Sequence, residues 1–256
     1  MTLEKDSWEA APPLALLAAD EVHVWCASLE QEPARVEALR GHLDEAERAK
    51  AGRFHFEKDR RHYVVGRGVL RDLLGRYLRV PPARVTFTYN QYGKPSLAAE
   101  FAGGGLRFNI SHSGGVGLFA FTRGREIGVD VECLREDFAG REIAQHFFSR
   151  REVAALCAVP QEHFTRAFFD CWTRKEAYIK ALGEGLSHPL DTFAVSLAPG
   201  EPAHLLSTDR DPREASRWSL FELTSLRGFA AALAVEGGGV RVRRYEWADG
   251  GSPRAA

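Results

Sequence analysis

Ile127-Gly128-Val129-Asp130-Val131-Glu132 reads as a β-strand with two unlike faces. Side chains alternate along a strand, so Val129 and Val131 enter a core while Asp130 and Glu132 share the opposite side. Two carboxylates held that close repel each other, and a divalent cation would relieve the repulsion. Taken alone, a D-x-E pair is more simply a solvated strand face. A third acid shifts the balance: Glu176 lies four residues before Lys180 on a helix opened by Trp172-Thr173-Arg174-Lys175.

Outward from this strand the same rhythm appears on both sides. Upstream, Glu21 to Leu29 alternates Val22, Val24 and Cys26 against His23 and Trp25, as a strand does. Helical stretches follow at about Leu43 to Gly52 and Glu57 to Leu78, the second stopped by Pro81-Pro82. Short strands are expected over 84–89, 106–111, 116–122 and 126–132, separated by turn-forming Asn, Gly and Ser. Downstream, Ala139 to Phe148 is helical, and Ser149 with Glu152 fits a capping box. A long helix from about Pro160 ends at Leu182, where Gly183 suits a left-handed cap. Strands are expected again over 192–197, 217–223, 229–235 and 240–247. The fold class is therefore α+β, with two similar halves, each a small antiparallel sheet packed with helices. The boundaries fall at 1–124, 125–247 and a small, polar tail over 248–256.

The 256 residues can bury a real core, and 27% charged against 45% hydrophobic residues excludes a membrane or disordered chain. A net charge of −1 gives no general case for nucleic acid, so local clusters must bind any anion. One such cluster runs from Arg48 to Arg79 and includes Lys50, Arg53, Arg67 and Arg71. Four cysteines lack C-x-x-C spacing and are expected as buried free thiols. Met1 to Ala10 lacks a signal core, and the apolar stretch over 10–19 is too short to span a bilayer. A cytoplasmic protein is the expectation.

On the long helix, Phe164, Phe168, Cys171, Trp172, Ile179 and Leu182 form an apolar stripe with Glu176 and Lys180 at its border. The plain reading is a surface ion pair; the site reading has Glu176 join Asp130 and Glu132 around a cation while Lys180 faces phosphate. Three carboxylates suit a hard cation, Mg²⁺ before others, and zinc lacks His or Cys at ligand spacing. In Asn109-Ile110-Ser111-His112-Ser113 the following Gly114-Gly115 breaks the strand, freeing His112 to face a cleft, although a structural histidine is equally consistent. Tyr92-Gly93-Lys94-Pro95 presents Lys94 on a tight turn. Lys50 and Arg53, three apart on a helix, could grip one phosphate, or simply form an exposed basic face.

In order and spacing these segments resemble the 4′-phosphopantetheinyl transferases, specifically the surfactin-type group of monomeric pseudo-dimers. The matching stretches are Arg53-Phe54-His55-Phe56 with Asp59, Tyr92-Gly93-Lys94-Pro95, Phe108 to Ser113 and Ile127 to Glu132. Phe147-Phe148-Ser149 with Glu152, Trp172 to Lys180, and Gly183-Glu184-Gly185-Leu186 complete the set. The resemblance implies a pseudo-two-fold fold, and transfer of the phosphopantetheine arm of coenzyme A to a serine of an acyl or peptidyl carrier protein. It implies that Asp130, Glu132 and Glu176 hold Mg²⁺, with Mn²⁺ as a substitute, and that Glu176 is the base. Lys180 would steady the diphosphate, Ser111 and His112 the nucleotide phosphates, and Lys94 the adenine and ribose. Lys50 and Arg53 would meet the 3′-phosphate, and Glu152 would orient Lys180 or share base duty. Many relatives carry a basic residue three positions before Lys50, where this chain has Glu47. A hydrolase of nucleotide diphosphates and a silent coenzyme A-binding module are the competing readings; neither nucleic acid nor membrane is an expected partner.

Overall fold

A computed structural model describes residues 8–10, 16–209, 211, 213–223 and 226–248. The chain opens with strands β1 (Glu9–Ala10) and β2 (Glu21–Ser28), then helices α1 (Pro33–Arg40), α2 (Glu45–Ala51) and α3 (Glu57–Leu78). Strands β3 (Phe87–Tyr89), β4 (Pro95–Leu97), β5 (Leu106–Ser113), β6 (Val116–Arg123) and β7 (Ile127–Cys133) follow. Next come α4 (Arg141–Phe147), α5 (Arg150–Ala158) and α6 (Gln161–Leu182). Five strands close the chain: β8 (Phe193–Val195), β9 (Leu205–Thr208), β10 (Trp218–Glu222), β11 (Phe229–Glu236) and β12 (Arg241–Glu246).

Two sheets, ordered β1-β12-β2-β6-β5 and β10-β11-β7, lie face to face. Val22, Val24 and Cys26 of β2 and Leu118 of β6 pack in one cluster with Val129, Val131 and Leu233 of the other sheet. The opposite face of β2 and β6, through Trp25 and Phe121, packs on Val65, Val69 and Leu73 of α3. Ala230, Ala232 and Ala234 of β11 pack on Phe168 and Ile179 of α6. The order of layers is thus helix, sheet, sheet, helix. The alternation in β2 therefore separates two cores, not a core from solvent, and a strand covered on both faces is apolar throughout.

Several expectations hold. Helix α3 has the bounds read from its periodicity, α6 ends at Gly183 with φ of 74°, and Ser149 and Glu152 form the capping box. Others are corrected. Helix α3 is closed by Arg79 in the left-handed region, upstream of the two prolines. Helix α1 was invisible to periodicity, and only the proline at its first turn marks it. Helix α2 ends at Ala51, so Arg53 lies beyond it and does not share a helix face with Lys50. Strand β12 pairs parallel with β2, so the end of the chain returns to the first sheet and crosses the division drawn at residue 124. That sheet is mixed, not purely antiparallel. Cys26 and Cys171 are buried, but Cys133 is partly exposed and Cys157 exposed. The tail over 249–256 and the apolar residues 11–15 lie outside the described residues. Among the described residues no helix is long and apolar enough to cross a membrane.

Candidate active site

Helix α6 reaches strand β7 because Gly128 has no side chain. A Cβ there would stand 2.0 Å from the Ala177 carbonyl oxygen and 2.4 Å from the Ala181 nitrogen. Ala177 and Ala181 are one turn apart and buried, so helix backbone rests almost directly on strand backbone. Glu176 and Lys180, each one residue earlier on the helix, are thereby brought to the acidic side of β7.

There Lys180 does not pair with Glu176, as its spacing suggested. Its Nζ donates to Asp130 Oδ1 at 2.5 Å and to Ser111 Oγ at 2.9 Å. Ser111 in turn donates to Asp130 Oδ1 at 2.8 Å. Asp130 is 2% exposed, and its other oxygen, Oδ2, is buried with no hydrogen-bond partner among the described residues. Burial, then the charges of Asp130 and Glu132, push the Glu176 carboxyl up to about 7 against the pull of Lys180. Burial and Asp130 also raise Glu132, although Ser113 Oγ donates to its Oε2 at 2.8 Å. The charges of Asp130 and Glu132 thus reach Glu176.

Among the described residues, no group of three His, Cys, Asp or Glu side chains is gathered into a metal cage. The donor set nevertheless fits a hard dication. It offers an orphaned buried carboxylate oxygen, and two acids raised first by burial and then by the charge of Asp130. All donors are oxygens, which suits Mg²⁺ or Mn²⁺.

The acids are also aligned from the neighbouring sheet. Strand β7 is the edge of its sheet, and its free N–H groups would otherwise be unsatisfied. Alternate residues of β5 satisfy them with side chains. Val129 N donates to Asn109 Oδ1 at 2.9 Å, Val131 N to Ser111 Oγ at 3.4 Å, and Cys133 N to Ser113 Oγ at 3.1 Å. The N-x-S-x-S alternation was the signal for this ladder, since only every second residue of a strand can face one neighbour. Strand β5 runs on through Ser113, so the glycines do not cut it short before His112.

A cavity of about 720 Å³ opens beside Ser111 and His112. Lys50, Glu47, Arg67, Tyr63 and the turn residues Gly93 and Pro95 also line it, over a floor that includes Leu29, Phe87 and Phe119. Desolvation and the Lys180 charge hold the His112 imidazole below its ordinary pKa. It is therefore neutral at pH 7 and can both donate and accept. Arg53 is not among the lining residues.

Two side chains of the sequence reading are engaged away from the larger cavity. The Lys94 ammonium donates to the Ala181 carbonyl at 2.8 Å and pairs with Glu126 at 3.2 Å, closing the end of α6. It lines a separate cavity of about 280 Å³, and its turn neighbours Gly93 and Pro95 border the larger one. Glu152 meets Lys175, not Lys180. It is 1% exposed, takes the Lys175 Nζ at 2.7 Å on both oxygens, and also accepts from Val195 N and Ser149 N. A carboxylate so saturated has no lone pair left for Lys180 or for a substrate proton.

Residues 126–234 match the model of the 4′-phosphopantetheinyl transferase superfamily, and residues 29–122 match that of the 4′-phosphopantetheinyl transferase N-terminal region. The chain is 41% identical to the 4′-phosphopantetheinyl transferase HetI of Nostoc sp., covering 91% of this chain and 95% of HetI. It is 35% identical to the 4′-phosphopantetheinyl transferase Sfp of Bacillus subtilis, covering 59% of this chain and 64% of Sfp.

Proposed function

Because the chain belongs to the 4′-phosphopantetheinyl transferase superfamily, we propose that it converts apo carrier proteins to their holo form. The 4′-phosphopantetheine arm of coenzyme A moves to a serine of an acyl or peptidyl carrier protein, and adenosine 3′,5′-bisphosphate leaves. The serine oxygen forms a bond to the phosphorus that bears the pantetheine arm. The bond from that phosphorus to the bridging diphosphate oxygen breaks, and the electron pair departs with the adenosine bisphosphate.

The chain's residues divide this work by position. Glu176 accepts the serine hydroxyl proton, directly or through water. Lys180, anchored on Asp130, presents a fixed positive charge to the diphosphate. Ser111 and the neutral His112 offer hydrogen bonds at the cavity wall. Asp130, Glu132 and Glu176 would hold Mg²⁺, which when bound supplies charge neutralisation to the diphosphate oxygens. Displacement at phosphorus gains most from alignment and charge, and rigid placement by β7, β5 and α6 supports both.

One observation carries the reading: Lys180 pairs with Asp130, which keeps an orphaned oxygen, and both bond Ser111, which lines a cavity of about 720 Å³. Four free cysteines suit the reducing cytoplasm, where coenzyme A is found.

Mass spectrometry tests the reading. An apo carrier domain incubated with coenzyme A and Mg²⁺ should gain the mass of the arm. Hydrolysis of coenzyme A without a carrier, or binding without turnover, would replace the transferase reading with one of its competitors.

A further inference from the structure

Glu47 is 5% exposed and works inside the protein. Its Oε1 accepts from Arg67 Nε at 2.8 Å and Nη2 at 2.5 Å, and its Oε2 from Arg71 Nε at 2.5 Å. The two arginines are not equivalent. Arg71 is fully buried, and its remaining nitrogens are taken by Asp44 Oδ2 at 2.6 Å and by the carbonyls of Val85 and Pro82.

Arg67 is committed along one edge only. Beyond Glu47, its Nη2 has a long contact of 3.4 Å with Tyr89, while Nη1 has no hydrogen bond among the described residues and is not sealed from solvent. The guanidinium lies over the Phe87 ring at 4.7 Å, which fixes its plane, and the side chain lines the large cavity together with Lys50. Asp44 and Glu47 also line the cavity, but their two charges are matched by Arg67 and Arg71. Lys50 leaves this end of the cavity with a net positive charge.

We propose that Arg67, pinned by Glu47 and backed by Phe87, recognises the 3′-phosphate monoester of coenzyme A, with Lys50 as the second cation. The identity of the ligand rests on the transferase reading. Ser111 and His112 line the same cavity as Lys50 and Arg67, and Ser111 bonds Asp130, so the cavity offers two sets of anion-binding groups. Coenzyme A carries phosphate at two places on its nucleotide, and the diphosphate belongs with the first set. A planar guanidinium donates to phosphate in a forked geometry, and one already immobilised loses little entropy on binding. Glu47 thus replaces a direct contact with a positioning role.

The test compares kcat/KM for coenzyme A and 3′-dephospho-coenzyme A with one carrier domain. The wild type should prefer coenzyme A. Arg67→Ala should lower kcat/KM for coenzyme A by about 10- to 100-fold and change that for the dephospho substrate by no more than about twofold. Unchanged preference in Arg67→Ala, or no preference in the wild type, would overturn the proposal. Should Arg67→Ala lose both substrates, calorimetry on Glu47→Gln and Lys50→Ala decides, with adenosine 3′,5′-bisphosphate against adenosine 5′-monophosphate. Loss of the wild-type preference for the bisphosphate in both variants supports the proposal, and its retention in both overturns it. A wild type that transfers from neither coenzyme defeats the transferase reading, and the same titrations still decide Arg67.

Discussion

Helix α6 carries two lysines five residues apart, and each is paired with a carboxylate from another element. Lys175 and Glu152 are 0% and 1% exposed, and every oxygen and proton of the pair has a partner, including the Phe193 carbonyl at 2.7 Å from Nζ. Lys180 and Asp130 are 29% and 3% exposed, and one Asp130 oxygen has nothing to accept from. The first pair is complete and the second is not. A buried ion pair that satisfies all its valences holds helix to sheet, and removing one member strands a charge. A pair left incomplete beside two further acids retains capacity for an incoming ligand.

Lys175→Met is the largest expected break in that contrast. It leaves Glu152 buried without its counter-charge and should cost about 3–5 kcal/mol, read as a fall in denaturant midpoint or loss of soluble protein. Lys180→Met, whose lysine is 29% exposed, should destabilise the fold less than Lys175→Met while lowering transfer on the order of 100- to 1,000-fold. Equal destabilisation by the two variants would erase the distinction between them.

Glu176→Gln sharpens the second half of the comparison. It should lower transfer on the order of 100- to 10,000-fold and leave the helix in place. Its effect on the metal-free protein has a definite sign. Glu176 binds its proton more tightly in the folded chain, at about 7, than in the unfolded chain, near 4.5. Metal-free wild type therefore loses stability as pH rises through this window, and Glu176→Gln should melt higher than wild type at pH 8 but not at pH 4. A melting-temperature series with pH, in chelator, checks this.

Ser113→Ala should have the smallest effect. It removes the Ser113 hydrogen bond that orients Glu132 but no ligand atom, so the Mg²⁺ concentration for half-maximal activity should rise several-fold with kcat little changed. Ser113→Thr, which restores the hydroxyl, should recover most of the loss.

The sequence disclosed most where a periodic pattern or a local cap governed the outcome. Helix α3, the Ser149–Glu152 box and the Gly183 cap follow from nearest-neighbour chemistry, and so does the two-faced strand β7. What it concealed depends on long-range pairing. The same D-x-E and E-x-x-x-K spacings would serve a solvated surface, and only Gly128 lying against Ala177 and Ala181 brings them together. Likewise Lys175 and Lys180 look alike in the chain, and Glu152 could have served either until the fold placed it with the first. Glu47 read as a missing base because its partners Arg67 and Arg71 lie a helix away. The return of β12 to β2 is hidden as well, since nothing local announces that pairing.

The central claim is that Asp130, Glu132 and Glu176 share one cation beside Lys180. Crystals grown with Mn²⁺ and coenzyme A would allow an anomalous difference map to locate that cation. A single strong peak bridging the three carboxylates and the diphosphate is the predicted result. A peak elsewhere, or bound coenzyme A with no peak between these acids, would contradict it.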